Sequence, residues 1–202
     1  LALFSAALSP EDDEIRLSNP VSYLGGGNIY NLIDFDPSNT GRVTIKGWYA
    51  NCFNAIGGPT VIVNVSGDVF TVKTSSQNSS VVTFDNVHIT QAQGRGIVVE
   101  GGGEVTLNHM AISLNDQGGV KVSSGGYLNV NANTNIFNNG LPGSESGGGI
   151  RCTGANSNVD FFGSLLRNLA GSGGNMYLLT GCFAMLHGGS SISGSNTETI
   201  DN

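Results

Sequence analysis

Residues 116–122 read DQGGVKV: a glycine pair, an apolar residue, a residue of any kind, and a second apolar one. The figure returns at QGRGIVV (93–99), SGGGIRC (146–152) and GSGGNMYL (171–178). Working outward, other apolar-x-apolar couplets recur too. Those starting at Val61, Val82, Val105, Leu128, Val159 and Phe183 follow one another at intervals of 21, 23, 23, 31 and 24 residues. The long interval holds GLPGSESGG (140–148), which reads as an enlarged loop on one unit. Similarity at one fixed period of this length is the mark of a solenoid.

Each unit holds three such couplets. One has Val82/Phe84, Val87/Ile89 and Ile97/Val99; the next has Val105/Leu107, Met110/Ile112 and Val120/Val122. Alternation over so few residues makes short strands with one face inward. No unit has room for a crossover helix, and the period is too long for a run of tight hairpins. The sequence therefore predicts an all-β fold: a single-stranded parallel β-helix. About seven coils are expected in one domain, residues 1–202.

Within it, residues 1–17 are read as cap and first strand, 18–60 as irregular first coils, and 61–202 as regular coils. Leu1, Phe4, Ala7 and Leu8 share one helical face, so a short helix is expected to plug the N-terminal end of the core. SSISGSNTETIDN, at the C-terminus, has no apolar cap. It suggests coils that continue past residue 202, or a partner that covers them. End-to-end assembly through that coil, with Met185 on the contact, is one consequence.

Two residue types are expected to make the corners. Gly96, Gly119 and Gly149, with Gly174 one step displaced, permit either φ > 0 or close approach to the next coil. Asn115, Asn139 and Asn168 precede them. Asparagine tolerates the left-handed region and can bond its copy on the neighbouring coil.

Composition narrows the function. The net charge is −7 and only 11% of residues are charged. No Lys/Arg stripe is available to neutralise phosphates, so nucleic acid is not an expected partner. No run of about 18 apolar residues occurs, so membrane insertion is not expected either. LALFSAALSPEDDE, the opening stretch, lacks the basic start of a signal peptide. Cys52, Cys152 and Cys182 lack metal-ligand spacing. Cys152 falls on an inward position and reads as a buried thiol, Cys182 as outward or at a corner; a bridge between them is the alternative. No metal or other cofactor is expected.

NNGLPGSESGGGIRC (138–152) and LLRNLAGSGGNMYLL (165–179) resemble the repeat of polymorphic outer-membrane proteins and related bacterial β-helix surface proteins. LFSAALSPEDDEIRL (3–17) is similar to the entry cap of such domains. The resemblance implies a right-handed parallel β-helix of the pectate-lyase kind, in an exported, extracellular or cell-surface passenger or adhesin.

A β-helix enzyme needs acids in aligned outward columns, either to hold Ca²⁺ or to flank a glycosidic bond. The columns Thr83-Thr106-Asn129-Asp160, Asp85-Asn108-Asn131-Phe162 and His88-Ala111-Thr134-Leu165 contain no carboxylate pair. Asp85 with His109 is the best acid–imidazole pair, and reads as a corner hydrogen bond. Glu100 and Glu104 flank a glycine turn and read as a solvated loop. The column Val98-Lys121-Arg151-Tyr177 puts two cations and an aromatic in line, which suits an acidic glycan. Lys121, Arg151 and Tyr177 are the candidate binding residues. The leading expectation is a non-catalytic surface module presenting loops, notably 139–149, to a glycan or a protein. A polysaccharide lyase or glycosidase module and an end-to-end scaffold are the alternatives.

Overall fold

A computed structural model describes residues 12–18, 23–24, 28–32, 42–50, 54, 58, 60–63, 66–74, 80–144, 146–194 and 200–201. The chain is an all-β, right-handed parallel β-solenoid of about five turns, with no helix among the described residues. Its strands form three parallel sheets. The first stacks Asp13–Ser18, Arg42–Tyr49, Ser80–Asp85, Gly103–Asn108, Tyr127–Val130, Ser157–Phe161 and Cys182–Leu186. The second stacks Tyr23–Leu24, Thr60–Val63, Val87–Thr90, Ala111–Ser113, Asn135–Phe137, Ser164–Leu166 and Ser191–Ser193. The third stacks Asn28–Leu32, Phe70–Thr74, Arg95–Val99, Gly118–Ser123, Ile150–Thr153, Met176–Leu178 and Ile200–Asp201.

Val82, Val105, Leu128 and Val159 lie one above another in adjoining turns. Beside them run Ile45, Phe84, Leu107, Val130 and Phe161. Ile62, Ile89, Ile112, Ile136 and Leu165 fill the second wall. Phe70, Ile97, Val120, Ile150 and Met176 fill the third. Each such side chain contributes about 1.5–3 kcal/mol by leaving water, and no single rung can supply that burial alone. The buried core runs from Val43 to Met176, which spans five rungs. In the outer rungs Ile15, Leu17, Ala184 and Ile192 are only partly buried. The expected seven coils are thus about five closed turns. The expected N-terminal capping helix is not seen: residues 1–11 lie outside the described ones, and the chain is already a strand by Asp13.

Two register expectations need correction. Val61 and Val63 belong to the second sheet, opposite His88 and Thr90, so the partner of Val82 one turn earlier is Val43. In the last strand of the first sheet, Val159 faces Ala184 and Phe161 faces Leu186. Phe183 and Met185 therefore point outward, 59% and 45% exposed. The one-residue shift turns Cys182 inward, onto the side of the buried Ser157. There it is disulfide-bonded to Cys152, 30 residues earlier, so Cys152 is not a free thiol.

The corners divide their labour differently from expectation. The left-handed residues after the second sheet are Gln91, Leu114, Asn138 and Arg167, at φ 59°, 57°, 53° and 54°. Asn115, Asn139 and Asn168 come next in sequence and turn their side chains into the core, where all three are fully buried. Asn115 Nδ2 donates to Asn139 Oδ1 at 2.9 Å, and Asn139 Nδ2 to Asn168 Oδ1 at 3.0 Å. The ladder ends on Asn175, whose Oδ1 accepts from Asn168 Nδ2 at 2.9 Å. Gly119 shows why glycine precedes the third sheet. Its φ is not left-handed, but a methyl there would stand 2.6 Å from Ile136 Cγ2 and 2.7 Å from the Gly149 carbonyl oxygen. Close approach to the next rung, not turn conformation, excludes a side chain.

Candidate functional site

In the third sheet Lys121 pairs with Arg151, and Arg151 with Tyr177. The three candidates are therefore brought together on adjacent rungs, pointing out between the inward positions on either side. Because parallel strands lie about 4.8 Å apart, their side chains repeat along the solenoid axis at that step. Next to Lys121 is a groove of ≈ 380 Å³, also lined by Asp68, Arg95, Val98, Glu100 and Gln117. Arg151 and Tyr177 continue the same face beyond it.

Arg95, only 3% exposed, ties this face together. Its backbone N–H donates to Asp68 Oδ1 at 2.7 Å, and its guanidinium donates to the carbonyls of Gly147 and Ser146 at 3.2 and 3.3 Å. The enlarged loop is thereby held down from two rungs away. It is held from the following coil as well, by Gly147 N–H to the Ser172 carbonyl and Gly171 N–H to the Ser144 carbonyl. The loop's base is thus tied to both neighbouring coils, while Leu141 at its tip is exposed.

The other sequence candidates separate. His109 Nδ1 lies 3.3 Å from Asp85 Oδ1, but the imidazole is 57% exposed and sits at a corner with φ 50°. Asn86 Nδ2 already donates to that Asp85 oxygen at 2.9 Å. Glu100 and Glu104 flank a turn at Gly101 and Gly102, with φ 58° and 79°. The turn sends them to different faces: Glu100 lines the third-sheet groove, while Glu104 lines a groove on the first sheet with Arg42. Among the described residues no three His, Cys, Asp or Glu side chains are grouped to hold a metal.

One cluster escaped the sequence reading. On the outer face of the first sheet the Tyr127 hydroxyl donates to Asp160 Oδ2. His187 Nε2 lies 3.5 Å from Asp160 Oδ1, and the imidazole stacks on the Phe162 ring at 3.8 Å and 6°. The hydrogen bond to Asp160 pushes the Tyr127 pKa up to about 12. Asp160 and Phe162 stood in the sequence columns, but His187 did not. Taking Phe183 as inward places His187 one residue out of register with Phe162. Tyr127 precedes its strand's apolar couplet by one residue, so it fell outside the aligned columns.

On the second sheet His88 Nε2 is 2.8 Å from Ser113 Oγ, and burial lowers its pKa, keeping the ring neutral. In comparisons with known proteins, no family model, no curated protein and no solved structure matches the chain. The resemblance to polymorphic outer-membrane proteins is left with the parallel β-helix architecture alone.

Proposed function

We propose that the chain is an exported, non-catalytic β-helix module of adhesin type that binds an acidic glycan along the outer face of its third sheet. The observation that carries this reading is the register Lys121–Arg151–Tyr177. A glycan laid along the axis meets one rung about every 4.8 Å, close to the length of one sugar unit. Arg151 supplies a planar fork for a carboxylate or sulfate, Lys121 a point charge, and Tyr177 an aromatic edge or face. The Cys152–Cys182 disulfide supports export, since such bonds persist in oxidising compartments.

The test is binding to a panel of uronate, sulfated and neutral oligosaccharides at two salt concentrations, with reducing ends assayed in parallel. Acidic chains should bind and weaken with salt. Lys121→Glu combined with Arg151→Glu should abolish that binding. Acidic-chain binding that salt leaves unchanged, or full acidic-chain binding by the double variant, defeats the reading. Asp68 and Glu100 in one groove favour a second reading, a carbohydrate-active enzyme. Release of reducing ends, lost in Glu100→Gln, would establish it in place of the first.

A further inference from the structure

We infer that the Tyr127–Asp160–His187–Phe162 cluster on the first sheet is a second binding site, for the hydroxyl groups of a neutral sugar. It stands independently of the third-sheet reading, on a different face and with different chemistry.

Asp160 is the hub. Its carboxylate has room for about four hydrogen bonds. Tyr127 fills one position on Oδ2, and His187 Nε2 approaches Oδ1 at 3.5 Å. The remaining lone pairs accept hydroxyl protons. The Tyr127 hydroxyl already bonds the carboxylate, so the site is not a bare anion awaiting a cation.

Beneath the patch Asn129 Oδ1, like the same His187 Nε2, is closed to solvent and has no hydrogen-bond partner. Asn129 sits opposite Asp160 in the neighbouring rung. Next to them the Phe162–His187 stack supplies an apolar flank, with Phe162 37% exposed. Carboxylate, amide and aromatic around one patch fit the alternation of hydroxyls and C–H faces on a pyranose. A phosphate or uronate would instead meet Asp160, with Glu104 pairing Tyr127 one rung away.

The experiment titrates the full chain with neutral hexasaccharides of glucose, mannose and N-acetylglucosamine, and with their methyl monosaccharides, by calorimetry. At least one hexasaccharide should bind. Asp160→Asn and Phe162→Ala should each weaken it about tenfold or more, as expected for a lost charge-assisted hydrogen bond or a lost ring contact. Asn135→Ala, exposed on the second sheet, is the folded control and should bind as the parent does. Binding of the monosaccharides at equal strength would place the whole site at one sugar unit; selective binding of the hexamers would extend it along the axis. The inference is overturned if no neutral sugar binds at millimolar concentration, or if Asp160→Asn binds unchanged while its circular dichroism matches the parent. Loss of acidic-glycan binding would leave it standing, since that tests the other face.

Discussion

Replacing Asn139 by alanine probes the internal ladder at its most connected point. The Asn139 side chain is fully buried and takes part in five hydrogen bonds. Its Oδ1 accepts from the backbone N–H of Asn115 at 3.2 Å and from Asn115 Nδ2 at 2.9 Å. Its Nδ2 donates to the carbonyls of Ile112 and Phe137 and to Asn168 Oδ1, at 2.8, 3.1 and 3.0 Å. Alanine leaves the two Asn115 donors facing an apolar core. Asn168 Oδ1 keeps the Asn139 backbone N–H at 3.0 Å and is spared. Two stranded donors at about 1–3 kcal/mol each give a loss of about 3–4 kcal/mol, allowing for some relaxation. Urea unfolding followed by circular dichroism measures it as a fall in midpoint at constant slope. The adjacent Asn138→Ala changes an exposed residue at φ 53° and should cost only the backbone strain, about 1 kcal/mol. Asn115→Ala and Asn139→Ala combined should cost less than the sum of the two, because each strands the other's partner. If Asn139→Ala costs under about 1 kcal/mol, or no more than Asn138→Ala, the ladder is not what the core depends on.

Three further outcomes are expected. Gly119→Ala should destabilise by several kcal/mol in the same assay, since the methyl meets the Gly149 carbonyl oxygen at 2.7 Å and backbone must shift; a neutral result would show that the rungs part easily. Cys182→Ser removes a 30-residue closure worth about 3–4 kcal/mol and should raise hydrogen exchange first in Cys182–Leu186, whereas uniform loss across all rungs would contradict a staple local to the last turn. Because His88 has its pKa lowered by burial, its contribution is complete above its ordinary 6.5 and is lost as pH falls below it, so His88→Gln should flatten the acid limb of a stability–pH curve; an unchanged limb assigns acid sensitivity elsewhere.

The core was legible because a period-2 strand leaves a signature two residues wide. Val82, Val105, Leu128 and Val159 could be stacked from spacing alone, and so could the column ending at Tyr177. Legibility failed where a unit changed its length. Near the start, the second-sheet strand Thr60–Val63 mimicked a first-sheet couplet, because apolar-x-apolar does not say which of three walls it serves. Near residue 183 the couplet Phe-x-Met is as apolar as the inward Cys-x-Ala-x-Leu beside it, and side-chain type cannot choose between registers. That single slip hid His187 and left the Cys152–Cys182 bridge as an alternative only, because a shift of one residue exchanges the faces of a whole strand.

Asn175 shows the same limit from the other side. By position it corresponds to Gly149, since Ile150 pairs with Met176, and a chain that keeps glycine there in three rungs breaks its own pattern at the fourth. The break follows from what the glycine makes room for. The slots at Gly96, Gly119 and Gly149 are crowded by the amide nitrogens of Asn115, Asn139 and Asn168, at 3.2, 3.3 and 2.9 Å from where a Cβ would stand. Each glycine thus leaves space for the asparagine of the rung above. At position 175 the side chain itself enters that space from below. Its Oδ1 takes the Asn168 backbone N–H at 3.3 Å and Nδ2 at 2.9 Å, the two donors that Asn139 and Asn168 accept elsewhere in the ladder. Its own Nδ2 donates to the Ser193 carbonyl at 3.1 Å. Glycine below with asparagine above, and asparagine from below, are two ways of filling one buried polar volume. What the fold requires at each rung is the filled volume, and residue identity at either position follows from which strand supplies it.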